Sequence, residues 1–402
     1  MKGMAWTEIR VEEQRLRVVE AYEEGASISE LAEMQSVSRK TIYKWLSRYE
    51  ESGLAGLTDL SRRPRCSPNQ VSAEVEAAIV AARQRWKWGP RKLRVKLCEQ
   101  DRQLLWPAVS TIASVLKSKG LVVSRRRRLR TPVQLPPYAP AGEANAVWCA
   151  DYKGHFQSGN GTRIDPLTIT DACSRYLLRC QIVERTGHDH TRAVFEAAFR
   201  EFGLPAVIHT DNGVPFASVA PGGMSRLSIW FVRLGILPER SRPASPQDNG
   251  RHERMHRTLK LAVATPPRAT ARLQQKAFDE FRREFNEQRP HEALADRTPH
   301  SCYQSSQRTW PRRLPELEYG DEFEVRRVSQ QGSVKWKGER TFISEVFAYE
   351  PLGLKAISER WLEICCGPVQ LGWLDGYKHR FTRSRPKEIK DLLMKENLSA
   401  TL

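Results

Sequence analysis

Between Ser124 and Arg130 the chain carries arginine at five of seven positions (Arg125, Arg126, Arg127, Arg128 and Arg130), and Pro132, Pro136, Pro137 and Pro140 follow. Adjacent like charges repel one another, and proline fixes φ and removes a backbone donor, so no ordinary helix or strand can cross this stretch. We read residues 124–144 as a basic, Pro-rich tether whose arginines meet phosphates when a polyanion is present. Folding must therefore happen separately on its two sides. At 402 residues the chain is also too long for one typical core, so it is expected to be multidomain.

Charge divides along the same line. Lys and Arg outnumber Asp and Glu by 65 to 47. Residues 1–131 hold 26 basic against 15 acidic residues, leaving only +7 for the other 271. Positive charge concentrated in one third of a chain points to a nucleic acid rather than to solubility alone.

The N-terminal third reads as helices. Residues 11–24 place Leu16, Val19 and Tyr22 along one side, and Gly25 breaks the pattern. Ser27-Ile28-Ser29-Glu30 is a capping box, in which hydroxyl and carboxylate satisfy free N–H groups at a helix start. Its short helix ends near Met34. A turn over Gln35–Ser38 leads to a third helix with Ile42, Trp45, Leu46 and Tyr49 inward. Arg39, Lys40, Thr41, Tyr43, Lys44 and Arg48 then lie outward. Two short helices joined by a tight turn, the second basic on its outer side, describe a helix-turn-helix whose last helix suits the major groove. Residues 1–60 form this domain. A second unit of similar layout is expected over 69–123, with Val75, Ile79 and Ala82 marking one helix, Trp88–Leu93 starting another with Val95 and Leu97 as core candidates, and Ser110 and Thr111 opening its last helix toward DNA.

Beyond the tether the texture changes. Val147–Phe156, Ile164–Thr170, Tyr176–Val183, Ala206–His209 and a segment near Ile236–Glu239 read as strands. Helices are expected over His190–Phe202, near Arg226–Leu234, from about Pro246, and over Ala271–Asn286. Strands first and then alternating elements argue for a mixed α/β sheet with helices on its faces, over 145–300. From Pro315 onward short alternating segments separated by glycines, such as Phe323–Val325, Val334–Lys337 and Trp361–Ile364, suggest a small C-terminal β-barrel over 315–385.

The eight cysteines form no C-x-x-C pair, which argues against structural zinc and fits a reducing compartment. Glu8, Arg10, Glu12 and Glu13 interrupt any signal-peptide pattern. No stretch approaches the roughly 18 apolar residues that a membrane span needs. A cytoplasmic protein, nucleoid-associated when bound to DNA, is expected, with no membrane partner.

Three acids stand out. Asp151 lies within an otherwise apolar strand, where an unpaired charge is expensive and a divalent cation is a natural compensation. Asp211 follows the strand ending at His209, at the carboxyl edge where α/β sheets bind ligands. Glu253 belongs to a helix whose start is signalled by Ser245, Pro246 and Asp248. The stretches Thr210-Asp211-Asn212-Gly213, Ser245-Pro246-Gln247-Asp248-Asn249-Gly250-Arg251-His252-Glu253-Arg254, Arg257-Thr258-Leu259-Lys260 and Arg289-Pro290-His291-Glu292-Ala293-Leu294 resemble the catalytic motifs of the DDE transposases of bacterial insertion sequences. That resemblance covers residues 146–300 most strongly, and the two helix-turn-helix units match the same family's layout.

The resemblance implies a retroviral-integrase, ribonuclease H-like core in which Asp151, Asp211 and Glu253 are the catalytic triad and hold two Mg²⁺ (or Mn²⁺) ions. Asp151 would bridge the two, with Asp211 and Glu253 each closing one side. Phosphodiester transfer builds negative charge on attacking and leaving oxygens, and hard oxygen ligands suit these cations. On the Glu253 helix, His256, Arg257 and Lys260 are read as contacts to DNA phosphates, and Asn212 as a support of the Asp211 loop. Asp165, Asp171, His188, Asp189 and His190 are read as surface or turn residues, Asp171 with a structural part. Between Asp211 and Glu253 lie 41 residues, longer than is usual for the family. A Gly- and Pro-rich insertion around Val219–Arg226 is expected to absorb the excess in a surface loop. Expected partners are double-stranded DNA, both terminal inverted repeats and target, and further copies of the chain in a dimer or tetramer. Two rivals remain at this point: a catalytically dormant DNA-binding regulator derived from such an enzyme, and a nuclease that does not join strands.

Overall fold

A computed structural model describes residues 11–60, 70–122, 140–242 and 250–391. The tether arginines Arg125, Arg126, Arg127, Arg128 and Arg130, the expected cap residues Ser245, Pro246 and Asp248, and Cys66 lie outside the described residues. The chain divides into two compact units, residues 1–72 and 73–402.

In the first unit α1 (Val11–Glu23), α2 (Ile28–Met34) and α3 (Arg39–Ser52) enclose Val18, Leu31, Ala32 and Ile42. The expected capping box is present: Ser27 Oγ accepts from the Glu30 N–H, and the Ser27 N–H donates to Glu30 Oε2 at 2.9 Å. The inward side of α1 differs from expectation. Val18 and Val19 are buried, whereas Tyr22 is 45% exposed. Arg15 explains the shift in part, because its guanidinium donates to the Leu57 carbonyl at 2.6 Å and pairs with Asp59 at 2.7 Å, pinning α1 to the 3-10 turn Gly53–Leu57.

The second unit begins with a bundle of α4 (Ala73–Trp86), α5 (Pro90–Gln100) and α6 (Val109–Ser118). Proline opens α5, where its missing N–H costs nothing. Ile79, Trp86, Trp88, Leu93, Leu97, Trp106 and Ile112 fill the core. Val95, expected there, is only half-buried.

The central sheet is built from β1 (Val147–Tyr152), β2 (Phe156–Gln157), β3 (Arg163–Asp171), β4 (Leu177–Val183), β5 (Val207–Thr210) and β6 (Leu237–Arg240). The single long strand expected over 147–156 is thus two. β1 lies between β3, antiparallel, and β5, parallel; β6 continues parallel beyond β5, and β4 and β2 pair with β3. Four antiparallel strands extended by two parallel ones are the mixed sheet expected of the core. Helix α7 (His188–Phe202) covers one face through Phe195, Ala198 and Phe199, together with Trp230 and Phe231 of α8 (Arg226–Arg233). Helices α9 (Gly250–Val263) and α10 (Ala271–Glu287) cover the other through Met255, Leu259, Phe278 and Phe281.

The C-terminal segment is not a closed barrel. β7 (Phe323–Arg327), β8 (Ser333–Trp336), β9 (Glu339–Phe342), β10 (Pro351–Ala356), β11 (Trp361–Cys366), β12 (Val369–Asp375) and β13 (Arg380–Thr382) form an open antiparallel sheet, β13-β12-β11-β10-β7, and a separate hairpin, β8-β9. Closure would need a ladder between β7 and β13. Instead Val334 and Ile343 seal one sheet face over Leu352, Leu354, Ile364 and Leu374.

The Val219–Arg226 insertion is not a free surface loop either. Ala220 and Met224 are buried in the same cluster as Leu371 and Val232, so the insertion joins the C-terminal sheet to the core. Val219 stands out, at 90% exposed, and Arg226 at the other end is exposed as well.

Candidate active site

Asp151 is the fifth residue of β1, and its site is set by strand register. Across the parallel pair Val147 faces Val207, Trp148 faces Ile208 and Cys149 faces His209. Carried on by two residues, that register sets Asp151 level with Asp211 on the neighbouring strand, where strands lie about 4.8 Å apart. Asp211 follows directly on β5, all four residues of which are buried. At the turn the Asn212 amide donates to the Ser241 carbonyl at 2.6 Å, and the Gly213 N–H donates to Asp211 Oδ1 at 3.1 Å. Glu253 stands exposed in the first turn of α9.

Burial, the Asp211 charge and the Glu253 charge together push the Asp151 carboxyl up to about 7, against one backbone hydrogen bond that lowers it. Like charges gathered around a half-hidden carboxylate are costly unless a cation joins them. Three hard oxygen donors of like negative charge fit Mg²⁺ or Mn²⁺ and fit zinc poorly. Among the described residues no three His, Cys, Asp or Glu side chains are gathered as a ready-made cage.

Helix α9 presents two stripes. His252, Met255, His256 and Leu259 recur at i, i+3, i+4 and i+7 and face the sheet. Glu253, Arg257 and Lys260 form the neighbouring stripe and are exposed. His256 therefore differs from its expected role as a phosphate contact. Its Nε2 lies 2.7 Å from Thr168 Oγ1, on β3, and its Nδ1 lies 3.8 Å from Asp151 Oδ2. His252 is buried beside it, with Nε2 2.6 Å from the same hydroxyl and Nδ1 3.3 Å from Thr170 Oγ1. Thr168 Oγ1 also reaches the Asp151 carbonyl at 3.1 Å. Burial pushes both imidazoles down, His256 to about 3, so each is neutral near pH 7 and the contact with Asp151 is no ion pair.

Other expected residues fall as follows. Arg39, Lys40, Tyr43 and Lys44 are exposed on α3, Thr41 is half-buried with its hydroxyl 2.9 Å from that of Ser38, and Ser110 and Thr111 lie in the first turn of α6. Arg48 is turned back, donating to the Thr58 carbonyl at 2.6 Å. Asp165 and Asp171 are buried rather than superficial. Asp165 takes two hydrogen bonds from Arg163, and Asp171 accepts from the N–H groups of Asn145 and Ser174 and from the Ser174 hydroxyl. Asp189 is exposed and bonded to His188.

Sequence reading missed Thr168, His252 and Lys153. The α9 stripe was available, since Met255 and Leu259 fix the inward face and both histidines share it. Lys153 had no such signal. It sits close enough to His256 and Lys260 for their charges to interact.

The chain matches a helix-turn-helix domain family over residues 14–65, a homeodomain-like domain family over 41–116, and integrase core domain families over 141–246 and 234–299. It is 24% identical over 244 residues to the "Insertion element IS407 uncharacterized 31.7 kDa protein" of Burkholderia multivorans, covering 60% of this chain and 84% of that protein. It is 28% identical over 189 residues to the Gag-Pol polyprotein of baboon endogenous virus, covering 46% of this chain and only a tenth of that polyprotein's length, 10%. The HTLV-2 integrase catalytic core domain, solved in complex with magnesium, aligns at 16% identity with a TM-score of 0.32, covering 40% of this chain and 98% of that one. Among the described residues no helix is long and apolar enough to cross a membrane.

Proposed function

We propose that this chain is a DDE transposase of the kind carried by bacterial insertion sequences, the reading its helix-turn-helix and integrase core matches support, and that it binds the ends of its element sequence-specifically, cleaves a phosphodiester there and joins the freed 3′-hydroxyl to target DNA. The observation that supports the reading is the parallel register of β1 and β5, which sets Asp151 level with Asp211, with the Asp211 and Glu253 charges both raising the half-buried Asp151 carboxyl. Carboxylates from a strand centre, a strand end and a helix would close around the ions where the core can bring a DNA backbone.

Asp151, Asp211 and Glu253 would hold two Mg²⁺ or Mn²⁺ ions, which when bound supply charge stabilisation to the attacking and leaving oxygens and activate the attacking water or 3′-hydroxyl. The chain's own residues do the rest. Thr168, His252 and His256 fix the back of the Asp151 strand, and Asn212 fixes the Asp211 turn. Arg257 and Lys260, exposed beside Glu253, meet the phosphates flanking the reacting one. Arg39, Lys40, Tyr43 and Lys44 face the major groove, Ser110 and Thr111 a second DNA segment, and Arg125, Arg126, Arg127, Arg128 and Arg130 the backbone between. Joining two ends to one target calls for a dimer or tetramer on the DNA.

The test is cleavage and joining of DNA carrying the element's ends. Asp151→Asn, Asp211→Asn and Glu253→Gln are each expected to lose at least about a thousandfold in rate, since each removes a donor that acts mainly on the transition state, with end binding in chelator unchanged. Wild-type protein that binds ends but neither nicks nor joins them with Mg²⁺ or Mn²⁺ would leave the dormant regulator. Nicking without joining would leave the nuclease.

A further inference from the structure

We propose that Leu104 and Leu105 form an apolar wedge that enters the minor groove and opens a base step of the DNA held by α6. The proposal rests on the transposase reading above and adds a contact which that reading does not use. Both leucines stand on the loop between α5 and α6, just ahead of Ser110 and Thr111.

The loop is held at both ends and presents its leucines outward. Asp101 Oδ1 accepts from the Gln103 N–H at 3.0 Å and from the Leu104 N–H at 3.2 Å. The Trp106 indole N–H donates to the Asp101 carbonyl at 3.0 Å, and its ring is buried in the bundle core. Beyond it the Arg94 guanidinium donates to the Pro107 carbonyl at 3.1 Å. Between these anchors Leu104 is 41% exposed and Leu105 is 94% exposed.

Single exposed leucines are ordinary on protein surfaces. Two in succession, on a loop pinned in this way, keep apolar surface in water until something covers it. Their position says what does. In a helix-turn-helix the N-terminal residues of the last helix meet base edges, and Val109 opens α6 shortly after the leucines, within the homeodomain-like match. Charge agrees: residues 90–119 hold seven basic against two acidic residues, and Arg102 and Gln103 lie exposed beside the leucines. A second copy of the chain fits less well, because two leucines fall far short of the roughly 800 Å² per partner that a stable protein interface buries. Leucine is among the side chains that minor-groove proteins drive between bases, unstacking them.

The test uses the full chain, chelator in place of metal, and two short labelled duplexes of one arbitrary sequence, the first fully paired and the second with a central two-base mismatch. Affinity for each is measured against salt for wild type, for Leu104→Ser with Leu105→Ser, and for Val219→Ser, a control at a residue 90% exposed elsewhere. A mismatch lowers the unstacking cost that a wedge must meet, so wild type and control are expected to bind the mismatched duplex about tenfold more tightly. The double serine variant is expected to bind both duplexes alike, with its salt slope unchanged because leucine neutralises no phosphate. Leu105→Phe, which keeps an apolar wedge, should retain the preference. A serine variant that keeps the preference, or a wild type that shows none, overturns the wedge and leaves the transposase reading intact. So does a serine variant whose salt slope falls, or one that changes only its sedimentation, which would give the leucines to a second copy. Wild-type protein that binds neither duplex overturns both.

Discussion

Thr168 has one hydroxyl proton and three neighbours, and that arithmetic fixes the back of the site. If the hydroxyl donates to the Asp151 carbonyl, its lone pairs remain for the Nε2–H groups of His252 and His256, an arrangement that two neutral rings in the Nε2–H tautomer satisfy. Burial keeps them so. The second ring nitrogen of His252 is left to accept from Thr170. Thr168→Val keeps the shape and removes the hub, stranding two donors where water does not reach. A stranded buried donor costs about 1–3 kcal/mol, so urea unfolding should show Thr168→Val destabilised by about 2–5 kcal/mol, with Thr168→Ser recovering most of it. A valine variant as stable as wild type would mean that the imidazoles find other partners and that the hydroxyl does not organise this face.

At the scale of elements the Val219–Arg226 insertion decides how the C-terminal sheet is seated. Gly222 has φ +63°, and a Cβ there would come within 3.2 Å of Leu371 and 3.3 Å of the Gln370 carbonyl. The Gly222 and Gly223 carbonyls accept from the Arg240 guanidinium, and Arg240 pairs in register with Thr210, the residue before Asp211. Met224, with no exposed surface, fills the seam between sheet and core. Met224→Ala is expected to cost about 2–5 kcal/mol, read as a lowered unfolding midpoint of the second unit. A loss within about 0.5 kcal/mol, the range of ordinary surface substitutions, would return the insertion to the status of a loose loop. This element also shows where sequence reading stops. The strands and helices around Asp151, Asp211 and Glu253 were legible because each carries its own period and because local motifs mark the acids. The insertion was misread because glycine and proline signal a turn, whereas its partner Leu371 lies far along the chain and leaves no local trace. His256 was misread for a different reason: its position three residues after Glu253 was weighed, and the apolar stripe it shares with Met255 and Leu259 was not. The open C-terminal sheet was taken for a barrel because alternation reveals strands but not whether the first and last of them pair.

For the molecule as a whole, the division at residue 72 matters more than the tether that the sequence advertises. The first unit carries its own small core of Val18, Leu31, Ala32 and Ile42, and the second carries several larger ones. A domain of about 60 residues buries only about 60% of the surface its unfolded chain exposes, and is marginal for that reason. The two units should therefore melt separately, the smaller one first. Calorimetry of the full chain is expected to show two transitions, and a fragment of residues 73–402 to keep the upper one within a degree or so. If the fragment fails to fold, or its transition moves substantially, the units share a core and the division is wrong. Between the two transitions the strands and helix that carry Asp151, Asp211 and Glu253 remain folded while α3, with Arg39, Lys40, Tyr43 and Lys44, has lost its helix. Binding assays at that temperature should then show DNA still held, with the preference for element ends over unrelated duplex reduced, because phosphate contacts hold DNA of any sequence while the groove-reading side chains of α3 no longer tell one sequence from another.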